Sequence, residues 1–258
     1  MDEEKFYQKI DIANLKHEKQ TAGSRKISQA VFDDETMMSL YTLSKRGAFD
    51  DLEGILSTGK EAQVYLAKSG RKQVIAKIFL IETSDFRNMT NYIRGDPRFS
   101  VWKNRRQLIF MWAQKEYKNL CKVCDVIPCP KPIDVENNVL IMEFLGKDGV
   151  QAPRLRDCAP SDPKKYYEKV IGYVRKMYEL RLVHADLSEF NILDWKGKPY
   201  IIDFSAGVLL DHPRSMEYLE RDVQNVVNYF RKRGVDTDYN AAMKRILDEK
   251  ADNKRSRP

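Results

Sequence analysis

The stretch His184-Ala185-Asp186-Leu187-Ser188-Glu189-Phe190-Asn191, followed twelve residues on by Asp203-Phe204-Ser205, constrains this chain more than any other feature. Asp186, Asn191 and Asp203 are oxygen-bearing side chains at a spacing that holds a divalent cation and orients a hydroxyl around a transferring phosphate. The apolar pair Leu182-Val183 leads into the first segment, and Tyr200-Ile201-Ile202 runs straight into Asp203. The acids are therefore expected at the ends of short buried strands. An H-x-D-x-x-x-x-N match or a D-F dipeptide alone arises by chance, and a lone Asp before a helix is most often a cap or turn former. Two matches in order, on strand-loop-strand sequence, weigh against chance.

A chain of 258 residues, 42% hydrophobic and 10% aromatic, can bury a sizeable core. Its apolar runs are short, such as Val139 to Met142, which ends at Glu143. The opening Met1-Asp2-Glu3-Glu4-Lys5 lacks the basic-then-apolar design of a signal peptide, so a cytoplasmic protein without a membrane partner is expected. The net charge is +7, and residues 71–122 hold twelve Lys or Arg against four Asp or Glu, so the whole excess sits in one fifth of the chain. A solvated face explains this nearly as well as a polyanion partner such as a nucleotide phosphate tail, a phosphorylated substrate or ribosomal RNA. Cys121-x-x-Cys124-x-x-x-x-Cys129 has no His nearby and no second C-x-x-C pair, which favours buried thiols over structural zinc.

Along the chain, residues 1 to about 30 read as a polar tail and 34–46 as a short helix, together forming a segment 1–50 ahead of a β-rich part, 51–145. Within that part Ala62–Ala67 and Val74–Phe79 form a hairpin around Ser69-Gly70. Residues 81 to about 106 break the pattern and read as a long, mobile insertion. Gln107–Val123 is an amphipathic helix, and Ile133–Val135 and Val139–Phe144 are strands around Asn137-Asn138. In the remainder, 146–258, Ser161 with Pro163 starts a helix, and residues 213–233 and 238–249 form two more. The sum is an α+β, two-lobed layout with a cleft.

Phosphoryl transfer asks mainly for positioning and charge neutralisation. Lys77, flanked by Val74-Ile75-Ala76, is suited to clamp phosphates, and a buried lysine needs an acid. Glu116 is the only acidic residue between Asp96 and Asp125, so it is the partner if Lys77 points inward. Gly54-Ile55-Leu56-Ser57-Thr58-Gly59-Lys60 resembles the start of a Walker A motif, but Glu61 stands where a Ser or Thr must bind metal, and a strand follows instead of a helix. Backbone amides of this loop, with Ser57, Thr58 and Lys60, could still meet phosphate. Met142, Glu143 and Leu145 suit an adenine edge, the last two through backbone groups; core packing accounts for them equally well.

Ser57-Thr58-Gly59-Lys60-Glu61-Ala62, Ile75-Ala76-Lys77, Ile141-Met142-Glu143-Phe144, His184 through Leu193, Ile202-Asp203-Phe204-Ser205 and Tyr218-Leu219-Glu220-Arg221-Asp222-Val223 together resemble the RIO family of atypical serine/threonine kinases over residues 50–235. The short N-terminal segment leaves no room for the winged-helix domain of one subfamily, so the chain resembles the minimal archaeal type. The resemblance implies a protein-kinase-like fold and ATP with magnesium, or manganese in its place. Asp186 is then the catalytic base, Asn191 and Asp203 are the metal ligands, and Lys77 with Glu116 is the phosphate clamp. It also implies a role in small-ribosomal-subunit maturation, with the pre-ribosomal small subunit as partner, ATP hydrolysis beside phosphorylation, and Asp203 as a site for an aspartyl-phosphate.

Ala185 stands where ordinary protein kinases carry an Arg, Ser205 where D-F-G has its Gly, and no A-P-E follows. The ATP site is thus better supported than a peptide site. Ser84, Thr90 and Ser100 are candidate self-acceptors. A small-molecule kinase of the aminoglycoside or choline type, or a non-catalytic RNA-binding scaffold, are the rival readings.

Overall fold

The computed structural model describes residue 6 and residues 32–81, 86–99 and 101–248. These divide into two compact units, the first drawn from 1–91, 99–121 and 130–151, the second from 92–98, 122–129 and 152–258. The change of unit expected at residue 145 thus falls after Gln151, and two short earlier segments belong with the second unit.

In the first unit, helix α1 (Asp34–Lys45) starts where the Asp33 side chain accepts the Thr36 N–H at 2.9 Å. Strands β1 (Asp51–Thr58), β2 (Ala62–Ser69) and β3 (Lys72–Phe79) form a meander. Helix α2 (Phe86–Ile93) and helix α3 (Arg105–Val123) precede β4 (Pro132–Glu136) and β5 (Val139–Glu143). The sheet is antiparallel, in the order β1-β2-β3-β5-β4. Alternation along β3 sorts its side chains by face. Val74, Ala76 and Ile78 join Leu40, Leu43 and Phe49 in one core, together with Phe6 from the segment read as a tail. Lys77, lying between them in sequence, is turned to the other side. Asn138 ties α1 to the sheet by donating to Thr36 Oγ1 at 2.9 Å and to the Phe79 carbonyl at 3.0 Å.

Two features of this unit depart from expectation. The insertion read over 81–106 contains α2, because Phe86, Met89 and Ile93 recur at helical spacing, and Met89 and Ile93 are fully buried. Scattered Arg and Asn residues hide that stripe in the sequence. A two-residue hairpin, β6 (Gly146–Lys147) with β7 (Val150–Gln151), was also not foreseen. Its Asp148-Gly149 turn takes φ +52 and +78, the conformation that Asp-Gly favours.

The second unit carries helix α4 (Pro163–Glu179), strands β8 (Leu182–Val183), β9 (Ile192–Trp195), β10 (Lys198–Ile201) and β11 (Val208–Leu209), then helices α5 (Ser215–Arg231) and α6 (Tyr239–Leu247). The cap of α4 is Asp162, whose carboxylate accepts the Lys165 N–H at 2.9 Å, rather than the expected Ser161. Two small ladders, β8 with β11 and β9 with β10, set the loops between them. Val170, Val174, Val227, Phe230, Ala242 and Ile246 supply the buried faces of the three helices. Among the described residues no helix is long and apolar enough to cross a membrane.

Gly146 sits where a side chain does not fit, since a Cβ would lie 2.3 Å from the Val150 carbonyl oxygen and 2.4 Å from the Phe144 ring. Gly146→Ala is therefore expected to destabilise the protein by about 1–3 kcal/mol, read from urea unfolding. An unchanged midpoint would show that the β6–β7 hairpin is not held as described.

Candidate functional site

In the first unit the pairing anticipated for Lys77 is formed. Lys77 Nζ lies 2.8 Å from Glu116 Oε2, with side-chain exposures of 9% and 0%. Burial of both charges makes each dependent on the other, since removing one partner of such a pair costs about 3–5 kcal/mol. Period-2 alternation in β3 sends Lys77 out of the α1 core, and the buried stripe of α3, with Leu108, Trp112 and Leu120, carries Glu116 on the same face. The Phe79 ring adds a cation–π contact 5.0 Å from Nζ.

The β1–β2 connection settles the Walker A question, because strand β2, not a helix, begins two residues after Lys60 and the Gly59 N–H closes the turn on the Ala62 carbonyl at 2.9 Å. Ser57 is half-buried at the end of β1, while Thr58 and Lys60 are exposed. Met142 and Leu145 are buried, and the Glu143 N–H is committed to the Lys131 carbonyl at 2.8 Å. The Glu143 carbonyl and the Leu145 backbone are left as candidate polar contacts for adenine.

In the second unit β8 delivers His184 and Asp186, and β10 delivers Asp203, as the flanking apolar residues predict. Asn191 Nδ2 donates to the Asp186 carbonyl at 2.7 Å and to Asp186 Oδ2 at 3.1 Å. Its amide oxygen is thereby turned away from Asp186. Ser205 Oγ donates to Asp203 Oδ1 at 2.8 Å. The Asp186 N–H donates to His184 Nδ1 at 3.3 Å, so the ring carries its proton on Nε2 and donates it to the Ile202 carbonyl at 3.0 Å. One neutral histidine thus ties the Asp186 loop to the segment leading into Asp203. Partial removal of water raises the Asp186 carboxyl above the ordinary carboxylate range, although the residue keeps an exposed edge. The Asp203 charge adds to this, while Asn191 and Arg221 work against it.

In the two loops that carry the acids, the backbone is strained at Ala185, with φ +65, and at Asp203, with φ +63. Such conformations cost about 1–3 kcal/mol and persist only where surrounding contacts over-determine them. Helix α5 supplies those contacts at Ala185. Asp222, 1% exposed, accepts the Ala185 N–H at 2.7 Å and the Leu187 N–H at 2.8 Å. Asn225 Nδ2 donates to the Leu187 carbonyl at 3.1 Å, and Arg221 Nη2 donates to the Ala185 carbonyl. Burial pushes the Asp222 carboxyl up to about 8, against its two N–H bonds and the Arg221 charge. These α5 residues had been given no role from the sequence. The signal was present, since Asp222 lies on the apolar stripe of Tyr218, Leu219, Val223 and Val226, where an acid is out of place unless it is bonded.

The donors available near Asp186 are hard oxygens, from the Asp203 carboxylate and the Asn191 amide, and they suit magnesium better than a softer metal. Thr90, a candidate self-acceptor, is half-buried in α2; Ser84 and Ser100 lie outside the described residues.

A five-stranded antiparallel sheet with a buried Lys–Glu pair, and a helical unit carrying H-x-D-x-x-x-x-N and D-F-S loops, define a protein-kinase-like α+β protein. The comparisons agree. A RIO-domain family model matches residues 63–242. The RIO-type serine/threonine-protein kinase Rio1 of Methanocaldococcus jannaschii is 38% identical over 240 residues, 92% of this chain and 83% of that protein. Its counterpart in Haloferax volcanii is 40% identical over 220 residues, 84% and 76% of the two chains. The crystal structure of the Rio2 kinase–ADP/Mg2+–phosphoaspartate complex from Chaetomium thermophilum superposes with a TM-score of 0.65 at 24% identity, covering 83% of this chain and 66% of that one. The chain belongs to the RIO family of atypical serine/threonine protein kinases.

Asp222→Ala would strip the acceptor from two buried N–H groups. It is expected to lower stability by about 3 kcal/mol in urea unfolding and to abolish turnover. A variant as stable and as active as the parent would show that the loop does not depend on α5.

Proposed function

We propose that this protein transfers the γ-phosphoryl group of ATP to serine or threonine hydroxyls, its own included, and also hydrolyses ATP. The observation that carries the reading is the Asp186 loop: a carboxyl raised above its usual range, tied to Asn191, and close enough to Asp203 to feel its charge. Asp186 is the general base, accepting the hydroxyl proton as the oxygen attacks. A base raised by desolvation takes a proton more readily than an ordinary carboxylate.

Asn191 and Asp203 hold magnesium, which when bound neutralises charge on the nucleotide phosphates. Lys77, held by Glu116, steadies those phosphates, with Ser57, Thr58 and Lys60 as further phosphate contacts. Met142, Leu145 and the Glu143 carbonyl receive adenine. ADP and Mg2+ in the Chaetomium thermophilum neighbour support nucleotide and metal here, and its phosphoaspartate supports Asp203 as a transient acceptor. The basic excess over residues 71–122 and the family resemblance support action on the pre-ribosomal small subunit in the cytoplasm.

Two variants test the roles separately. Asp186→Asn should bind ATP normally but lose turnover by about a hundredfold or more, since only the proton acceptor is removed; autophosphorylation and ATP hydrolysis at the parent rate would end the assignment. In the parent, the acid limb of the pH–rate profile should lie above the usual carboxylate range, because the raised Asp186 becomes inactive as pH falls through its own pKa. Asp203→Asn should weaken ATP binding about tenfold in magnesium and little in its absence, by titration calorimetry. Equal affinity under both conditions would count against the metal role. Turnover measured with and without purified small ribosomal subunits tests the proposed partner.

A further inference from the structure

Residues 92–98 are folded closely against the start of α5, within the unit that carries the Asp186 loop. The Tyr92 ring, 7% exposed, stacks on Tyr218 with centroids 5.0 Å apart, and Tyr218 in turn faces His212 at 5.7 Å. Gly95, at φ +92, lets the backbone press on Pro213; a Cβ there would meet the proline ring at 2.9 Å. Buried Asp96 closes the turn by accepting from Arg98 N, Nε and Nη2 at 3.0, 2.9 and 2.7 Å. The turn so fixed presents the Tyr92 hydroxyl to Arg221 Nη2 at 3.3 Å. The same guanidinium nitrogen donates to the Ala185 carbonyl, in the peptide group that leads into Asp186.

We propose that Tyr92 and Arg221 are positioning residues for the catalytic loop: the Tyr92 hydroxyl fixes the guanidinium, and the guanidinium fixes the peptide plane preceding Asp186. Arg221 is exposed, and a long exposed arginine has many rotamers unless something restricts it. Tyr92 is one such restriction, beside the Tyr218 ring, whose centroid lies 5.2 Å from the guanidinium carbon. Ala185 has a strained φ, so its carbonyl would swing if released, and the Asp186 carboxyl would swing with it. Tyr92 lies in the insertion between β3 and α3, within the most basic fifth of the chain, so that segment governs turnover rather than nucleotide affinity. The inference rests on Asp186 being the base.

The test compares kcat and the KM for ATP in Tyr92→Phe, Arg221→Gln, Arg221→Lys and the Tyr92→Phe/Arg221→Gln pair, with Asp186→Asn as reference and thermal unfolding as control. Tyr92→Phe keeps the ring on Tyr218 and should unfold like the parent, with kcat down about tenfold and KM within about twofold. Arg221→Gln should lose about ten- to a hundredfold in kcat, and the pair should lose no more than Arg221→Gln alone. Arg221→Lys, which keeps the charge but not the planar fork of donors, should recover only part of kcat. Parent-like turnover in Tyr92→Phe overturns the proposal, as do additive losses in the pair. If Asp186→Asn keeps turnover, the base assignment falls and this inference with it. An inactive Asp186→Asn beside a fully active Tyr92→Phe overturns only the inference.

Discussion

Asp222 is a carboxyl group with almost no contact with water, and its oxygens take the N–H groups of Ala185 and Leu187. A chain does not form a left-handed alanine beside an acidic residue without some such hold. The hold comes from α5, a helix anchored by an apolar face that includes Leu219, Val223, Val226 and Phe230. The loop carrying Asp186 therefore inherits the rigidity of a packed helix. With Asp222 below, Asn225 and Arg221 beside it, and His184 linking forward to Ile202, few backbone groups of the loop are left to move. That is what a proton acceptor needs if it is to meet a hydroxyl in one geometry.

The Lys77–Glu116 pair answers a different physical problem. A buried lysine is costly alone, and a buried glutamate equally so; together they persist because β3 and α3 bring them to 2.8 Å in a place neither could occupy singly. The pair fixes the orientation of a strand-borne cation while α1 and residues such as Leu40 and Leu43 fill the other face of the sheet. Each unit thus devotes one buried charged arrangement to holding a functional group still. In both, the partner lies far off in sequence.

Much of this was legible in the chain because it depends on local pattern. The apolar run Val74–Phe79 placed Lys77 on its strand, and the absence of other acids between Asp96 and Asp125 pointed to Glu116. The apolar runs before Asp186 and Asp203 located the short strands. What failed was either hidden by composition or passed over. Helix α2 was missed because its apolar stripe is interrupted by Arg and Asn, and the β6–β7 hairpin because an Asp-Gly pair so close to the lobe junction was not read as a turn. Ser161 was preferred as the start of α4 over its neighbour Asp162, a distinction that pattern does not make.

The sequence by itself determined which residue types are present for phosphoryl transfer, their order, and the strands and helices that bear them, since these follow from hydrophobic period and the chemistry of each side chain. Only the tertiary structure decided how the Asp186 loop is held. The roles of Asp222 and Arg221, and the approach of Tyr92 from the insertion, depend on contacts between residues far apart along the chain, and nothing in local periodicity encodes such distances. The reason is energetic as well as geometric. A polar group becomes informative when it is buried and must find a partner, and burial is a property of the assembled fold.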